Sequence, residues 1–227
     1  MLADNTTSFE QREVQIVRAL GILKRNGISL NLPETVLKDV QAKTLFDGDD
    51  AMFKELIEGA RVYFEYGCGK STEYVFKHTN SSIFAVDTSG DWVEKIQKLR
   101  TNENSQRLNV HWVDVGPVGD WGMPTSFKMR HKFVEYAELL WRQSAMPEVV
   151  LIDGRFRVLC FLATLKFAPV GTKIIFDDYN HRPYYHVAEE FARKIEVCGR
   201  QALFEVSDDA KSKITDEVRL SFQNVMG

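Results

Sequence analysis

Cysteine is scarce, and the three present, Cys68, Cys160 and Cys198, are an odd number at wide spacing with no CxxC pair. That excludes a disulfide framework and a thiolate zinc site, and reduced thiols in a cytoplasm are the expectation. Long apolar runs are missing as well. The longest nearly apolar stretch, 158–165, falls far short of the roughly 18 residues of a membrane span, and no basic-then-apolar leader opens the chain, so neither a membrane nor export is expected. Excess charge of one sign is also absent: a formal net charge of -3 gives no positive field to draw in a polyanion, and nucleic acid is not the expected partner.

What is present is an ordinary globular mixture, 44% hydrophobic and 27% charged, in 227 residues, enough for one α/β domain with a terminal extension. Over 10–26 the apolar residues Val14, Val17, Leu20 and Leu23 recur at three- and four-residue steps and predict a helix closed by Gly27. Pro33 opens a second helical stretch and Asp49-Asp50 a third. Residues 1–58 thus read as a helical extension, a lid or an interface through which the chain would form a homo-oligomer.

From there short β-rich runs alternate with amphipathic helices. Strands are expected at 62–66, 82–87, 109–113, 148–153 and 173–178, with helices at 71–77, 91–99, 133–143, 155–167 and 183–194. Such alternation is the signature of a parallel sheet with helices on both faces. A hairpin over 195–206, broken at Gly199, finishes the sheet, and a helical tail follows over 207–227.

The first strand runs into Glu65-x-Gly67-x-Gly69 and straight into a helix. Glycines there allow a tight turn and close approach of backbone to a ligand, beside the free amides of a helix N-terminus, which marks a nucleotide-type site. A Walker A loop would need glycine where Phe64 stands, so Gly69-Lys70-Ser71 is a false echo. A dinucleotide fingerprint would want a third small residue, normally glycine or alanine, at Thr72. No Gly-x-Ser-x-Gly elbow exists, and the Tyr66/Lys70 pair lies inside the loop where it cannot reach a substrate helix. Cys68 is either a nucleophile or a small residue filling the turn.

Asp87 closes the second strand where an acid can accept both hydroxyl hydrogens of a ribose, and Asp114-Val115 follows the third, where a carboxylate can meet an adenine amine. With Glu65 these form an acidic rim that suits a sulfonium better than a pyrophosphate. The series Glu65-x-Gly67-x-Gly69, Asp87, Asp114 and Leu151-Ile-Asp153-Gly154 resembles the class I, Rossmann-like methyltransferases. Further blocks at 114–122, 153–157 and 177–186 are similar to a bacterial group described as methyltransferase-like. The resemblance spans about residues 60–206 and implies a three-layer fold over 59–206. The implied sheet has seven mostly parallel strands in the order 3-2-1-4-5-7-6, the last antiparallel. It implies S-adenosylmethionine held by Glu65, Gly67, Cys68, Gly69, Asp87, Asp114 and Val115.

Methyl transfer needs an acceptor aligned in line and its proton removed. Candidates crowd the ends of strands four and five. Asp153, His181 and His186 are the candidate bases, and Arg155, Arg157, Arg182 and Tyr184 the candidate acceptor contacts. Arg155 and Arg157 either clamp a carboxylate or phosphate or pair with Asp153 or Asp178. Trp121, in an insertion over 116–132, either covers a ligand or plugs the sheet edge. Asp153, Asp177 and Asp178 should reach one mouth, where Mg2+ or Mn2+ could relieve their repulsion unless arginines do so; the set is similar to that of metal-dependent O-methyltransferases. The expected function is O-methylation of a small-molecule or sugar-containing acceptor. The competing readings are an NAD(P)-dependent oxidoreductase or epimerase and a non-catalytic nucleotide-binding protein.

Overall fold

A computed structural model of the chain describes Pro33, Leu45, Phe46 and residues 50–101 and 104–226. The helices expected at 10–26 and from Pro33 onward, and with them the lid or interface role of 1–58, lie outside the described residues. The last of that series is present as α1, Ala51–Glu58, preceded by Asp50.

Seven strands form one sheet: β1 Val62–Tyr66, β2 Ser82–Asp87, β3 Leu108–Trp112, β4 Val149–Ile152, β5 Lys173–Phe176, β6 Lys194–Cys198 and β7 Gln201–Glu205. Their order is β3-β2-β1-β4-β5-β7-β6, parallel from β3 through β5 and antiparallel in the closing hairpin. Every expected strand exists, though β3 begins one residue earlier, and β4 and β5 end before Asp153 and Asp177. The chain order reverses between β1 and β4, and at such a crevice, outside the carboxyl ends of the strands, open α/β sheets bind ligands.

Both faces of β1 are buried, and the period of two divides the core. Phe64 and Tyr66 join Val150 and Ile152 on one face with α4 (His131–Glu138) and α5 (Arg157–Phe167). Tyr63, Ile83, Val149 and Leu151 meet α1, α2 (Lys70–His78) and α3 (Gly90–Gln97) on the other. α5 is buried almost all round, which explains its run of apolar residues without a polar face. Its start departs from expectation. Phe156 adopts a left-handed backbone (φ 55°) and stacks its ring on Phe133 at 4.4 Å, so the helix begins at Arg157 rather than at Arg155.

The expected helix over 183–194 is instead a 3-10 stretch, Pro183–Glu190, leading directly into β6. The hairpin turns at Gly199 (φ 56°) as expected, and β7 starts beside the end of β5, with Phe176 opposite Ala202. The tail contributes α6 (Asp208–Ser212) and α7 (Asp216–Ser221), capped by the side chains of Ser207 and Thr215. Among the described residues no helix is long and apolar enough to cross a membrane.

Candidate functional site

A cleft of about 780 Å³ opens where β1 and β4 end, floored by Gly67, Cys68, Gly69, Asp87 and Asp153 and rimmed by Phe46, Trp92 and Trp121. Its position follows from the ladder: the Gly67 N–H donates to Val86 O (2.8 Å) and the Asp153 N–H to Tyr66 O (2.9 Å), so both chains leave the sheet at the same height.

At the loop, Gly67 lies at φ 90°, and a Cβ there would sit 2.6 Å from Gly154 Cα. Gly154 is equally constrained, since its Cβ would meet Tyr136 Oη at 2.1 Å. The two glycines allow the β1 and β4 exits to touch. Gly69 differs: its backbone is extended, and a Cβ would meet no protein atom within 4 Å. Protein packing therefore gives no reason for glycine at 69; the space it leaves belongs to the cleft.

Glu65 does not reach into that space. Its buried carboxylate accepts from Ser71 Oγ and from Thr72 Oγ1 (2.6 Å), while Thr72 Oγ1 accepts from the Gly69 N–H (2.9 Å). Thr72 is thus the clasp of the loop. Burial pushes the Glu65 carboxyl up to about 8 against the opposing effect of the two hydroxyls. Cys68 donates its N–H to Asp87 Oδ2 (2.8 Å), and burial followed by the Asp87 charge pushes its thiol far above the ordinary range. Of the two readings of Cys68, a small residue filling the turn is the one its surroundings fit.

Asp87 also accepts from the Ser89 N–H through Oδ1 (2.7 Å), and burial raises its pKa. Thr88, next in sequence, donates to Gly122 O (2.7 Å), which pins the insertion over the end of β2. Gly122 is required there, because its Cβ would lie 2.5 Å from Thr88 Oγ1. Beside it Trp121 takes a left-handed backbone (φ 57°) and stays 83% exposed at the cleft, so it is no plug. Asp114 is exposed, its Oδ1 accepting from the Gly116 N–H (2.9 Å), and Val115 is buried in the core; neither lines the cleft.

The opposite wall is a charged network. Asp153, Asp177 and Asp178 do converge, with one oxygen of each within 4.8 Å of the others. Arg157 donates to Asp153 Oδ1 (3.0 Å), Asp178 Oδ2 (3.2 Å) and the carbonyls of Asp153, Gly154 and Asp177. Arg182 pairs with Asp178 (2.9 Å), and Arg200 grips both oxygens of the fully buried Asp177 (2.8 and 3.0 Å), where Gln201 also donates. Three carboxylates are therefore met by three guanidinium groups. A divalent cation would enter against those guanidiniums, so the donor set does not fit a resident metal. Arg157 takes the ion-pair reading rather than the acceptor clamp. Burial, then the neighbouring Asp177 carboxylate, pushes the Asp153 carboxyl above its ordinary range.

Arg155 is 8% exposed and lines the cleft without an ion pair among the described residues. His181 and His186 do not line it. His186 is exposed, stacked on Tyr179 at 4.9 Å, because the 3-10 turn directs Tyr185 inward and His186 outward. Tyr184 is likewise 57% exposed, its ring against Tyr185. Sequence reasoning did not single out Arg200, Thr88 or Trp92. Arg200 carried a signal, as the residue after the hairpin glycine; the other two had none beyond following the second strand.

A methyltransferase-like protein from Silicibacter pomeroyi DSS-3 is 31% identical to this chain, with 79% of this chain and 88% of that one aligned and a TM-score of 0.61. The chain belongs to the class I methyltransferase superfamily. More distant likenesses include the C-terminal domain of precorrin-6Y C5,15-methyltransferase from Rhodobacter capsulatus (12% identity, 72% and 90% of the two chains, TM-score 0.46) and a methyltransferase from Geobacter sulfurreducens (10%, 86% and 88%, 0.44). No protein-family model and no curated protein matches the sequence.

Proposed function

We propose that this protein binds S-adenosylmethionine in the cleft and methylates an oxygen of a small-molecule or sugar-containing acceptor. The observation that carries this reading is the state of the loop amides. The N–H groups of Gly67, Cys68 and Gly69 are committed to Val86 O, Asp87 Oδ2 and Thr72 Oγ1, so these three loop amides are not open to a pyrophosphate, while the space at Gly69 stays open beside Asp87. That weighs against a nicotinamide dinucleotide and suits a nucleoside whose charge is a sulfonium. S-adenosylmethionine supplies an activated methyl group.

The chain supplies the rest. Asp87 keeps one lone pair on each oxygen for ribose hydroxyls, and Trp121 stands exposed where it can cover a flat ring. Asp153 lines the cleft with Oδ1 fixed by Arg157, which leaves Oδ2 to take the acceptor's proton. Its raised pKa strengthens it as a base.

Calorimetry with S-adenosylhomocysteine, NAD and NADP tests the donor site. The first should bind and the others should not, and Asp87→Ala should lose about 1.5 to 3 kcal/mol of that binding. Unchanged affinity in the variant, or tighter binding of a nicotinamide cofactor, overturns the assignment. Because arginines balance the acids, methyl transfer to an identified acceptor should persist in excess chelator; activity that vanishes and returns with Mg2+ would show a metal instead.

A further inference from the structure

Four guanidinium groups, of Arg155, Arg157, Arg182 and Arg200, stand around the three carboxylates Asp153, Asp177 and Asp178, and three of the four are accounted for by ion pairs. The fourth is not. Arg155 has no ion pair and no side-chain hydrogen bond among the described residues, and its Nε is buried with no partner at all. More than nine-tenths of the residue is buried, yet it lines the cleft together with Asp153 and Arg157.

A buried, unpaired arginine is costly, and here the cost is compounded by the like charge of Arg157 next to it. The backbone enforces this placement. With Phe156 held left-handed and its ring in the core, Arg155 and Arg157 flank it, and Arg157 takes the carbonyls of Asp153, Gly154 and Asp177 and one carboxylate oxygen each of Asp153 and Asp178. We propose that Arg155 anchors a carboxylate carried by the acceptor, an inference that rests on the methyltransferase reading of the cleft. The charge balance selects the anion: one positive charge is uncompensated, and Asp153 near it would repel the second charge of a phosphate monoester. A guanidinium fork facing a single carboxylate satisfies both the buried donor and the local charge.

The competing source of a carboxylate is the amino-acid end of the methyl donor itself, and the test separates the two. Carbon-13 acetate is titrated into the full chain saturated with S-adenosylhomocysteine, and its affinity is read from the shift of the carboxylate carbon. Acetate should bind with the nucleoside present, and Arg155→Gln should weaken it by about tenfold or more, the scale of a lost charge-assisted pair. S-adenosylhomocysteine affinity should change less than about threefold in that variant. Arg155→Met, an apolar replacement of similar length, repeats the measurement should the glutamine variant not fold.

Acetate affinity unchanged in both variants overturns the proposal and leaves the donor site intact. Displacement of acetate by S-adenosylhomocysteine but not by 5′-methylthioadenosine also overturns it, by assigning Arg155 to the donor. Failure of S-adenosylhomocysteine to bind removes the methyltransferase reading instead, and acetate titrated into the protein alone still decides whether Arg155 holds a carboxylate.

Discussion

The two ends of the cleft are built differently. At the glycine loop, backbone geometry and neutral hydrogen bonds within eight consecutive residues, Glu65 to Thr72, define the site, with Asp87 as the one acid reaching in. At the far wall, charged side chains from the ends of β4 and β5, the start of α5 and the β6–β7 turn interlock. The first is a local device that tolerates little change of shape. The second is a long-range device that tolerates little change of charge.

The largest effect is expected from breaking the charge side. Arg200→Met leaves the Asp177 carboxylate buried with only Gln201 as donor, and should lower stability in denaturant titration by about 3 to 5 kcal/mol. A loss below about 1 kcal/mol would mean that the pair behaves as a surface ion pair and the far wall is not a linked network.

On the geometric side, two glycines of one loop should part company. Gly67→Ala forces a left-handed backbone and a clash with Gly154, at a cost of about 2 to 4 kcal/mol. Gly69→Ala should change stability by less than about 0.5 kcal/mol and yet abolish most S-adenosylhomocysteine binding, because its Cβ projects into open cleft. If Gly69→Ala binds normally, the loop is shaped by folding alone.

A smaller effect tests the neutrality of the loop. Glu65 has a pKa of about 8 in the fold against an ordinary 4.5, so the folded state holds its proton over the interval in which the unfolded chain releases it. Its contribution is present below the ordinary value and is lost as pH rises toward 8. Melts of Glu65→Gln should therefore show a flatter decline over that interval, by up to about 1.4 kcal/mol per pH unit. Parallel profiles for both proteins would place a full negative charge inside the clasp.

The loop was legible because its reasons are local. A five-residue strand with four residues buried, two glycines and a helix start lie in one stretch, and the alternation that follows gave the parallel sheet, while the strand order came with the resemblance to the methyltransferases. Thr72 was legible only as a departure; that it locks Glu65 to the Gly69 amide depends on helix geometry that spacing does not display. Asp153, Asp177 and Asp178 could be brought to one mouth from the sequence, since parallel strands end together. Arg157 could be named as a partner for them, but not that Arg200 would join it and Arg155 would not. Arg200 arrives from an antiparallel hairpin whose register puts its turn beside the end of β5, and the left-handed Phe156 decides that Arg155 and Arg157 have different fates. His186 stood among the candidate bases on a stretch expected to be helical, but a 3-10 turn rotates successive side chains by about 120° rather than the helical 100° and sends it outward.

By itself, then, the order of residues determined the parallel sheet, the glycine loop and the convergence of three acids, because period, turn chemistry and strand polarity act over short distances. The tertiary structure alone decided the charge balance of the cleft and that Arg155 is left without an ion pair among the described residues. Ion pairs between distant segments depend on angstrom-scale placement and on burial, and neither is encoded in any local pattern.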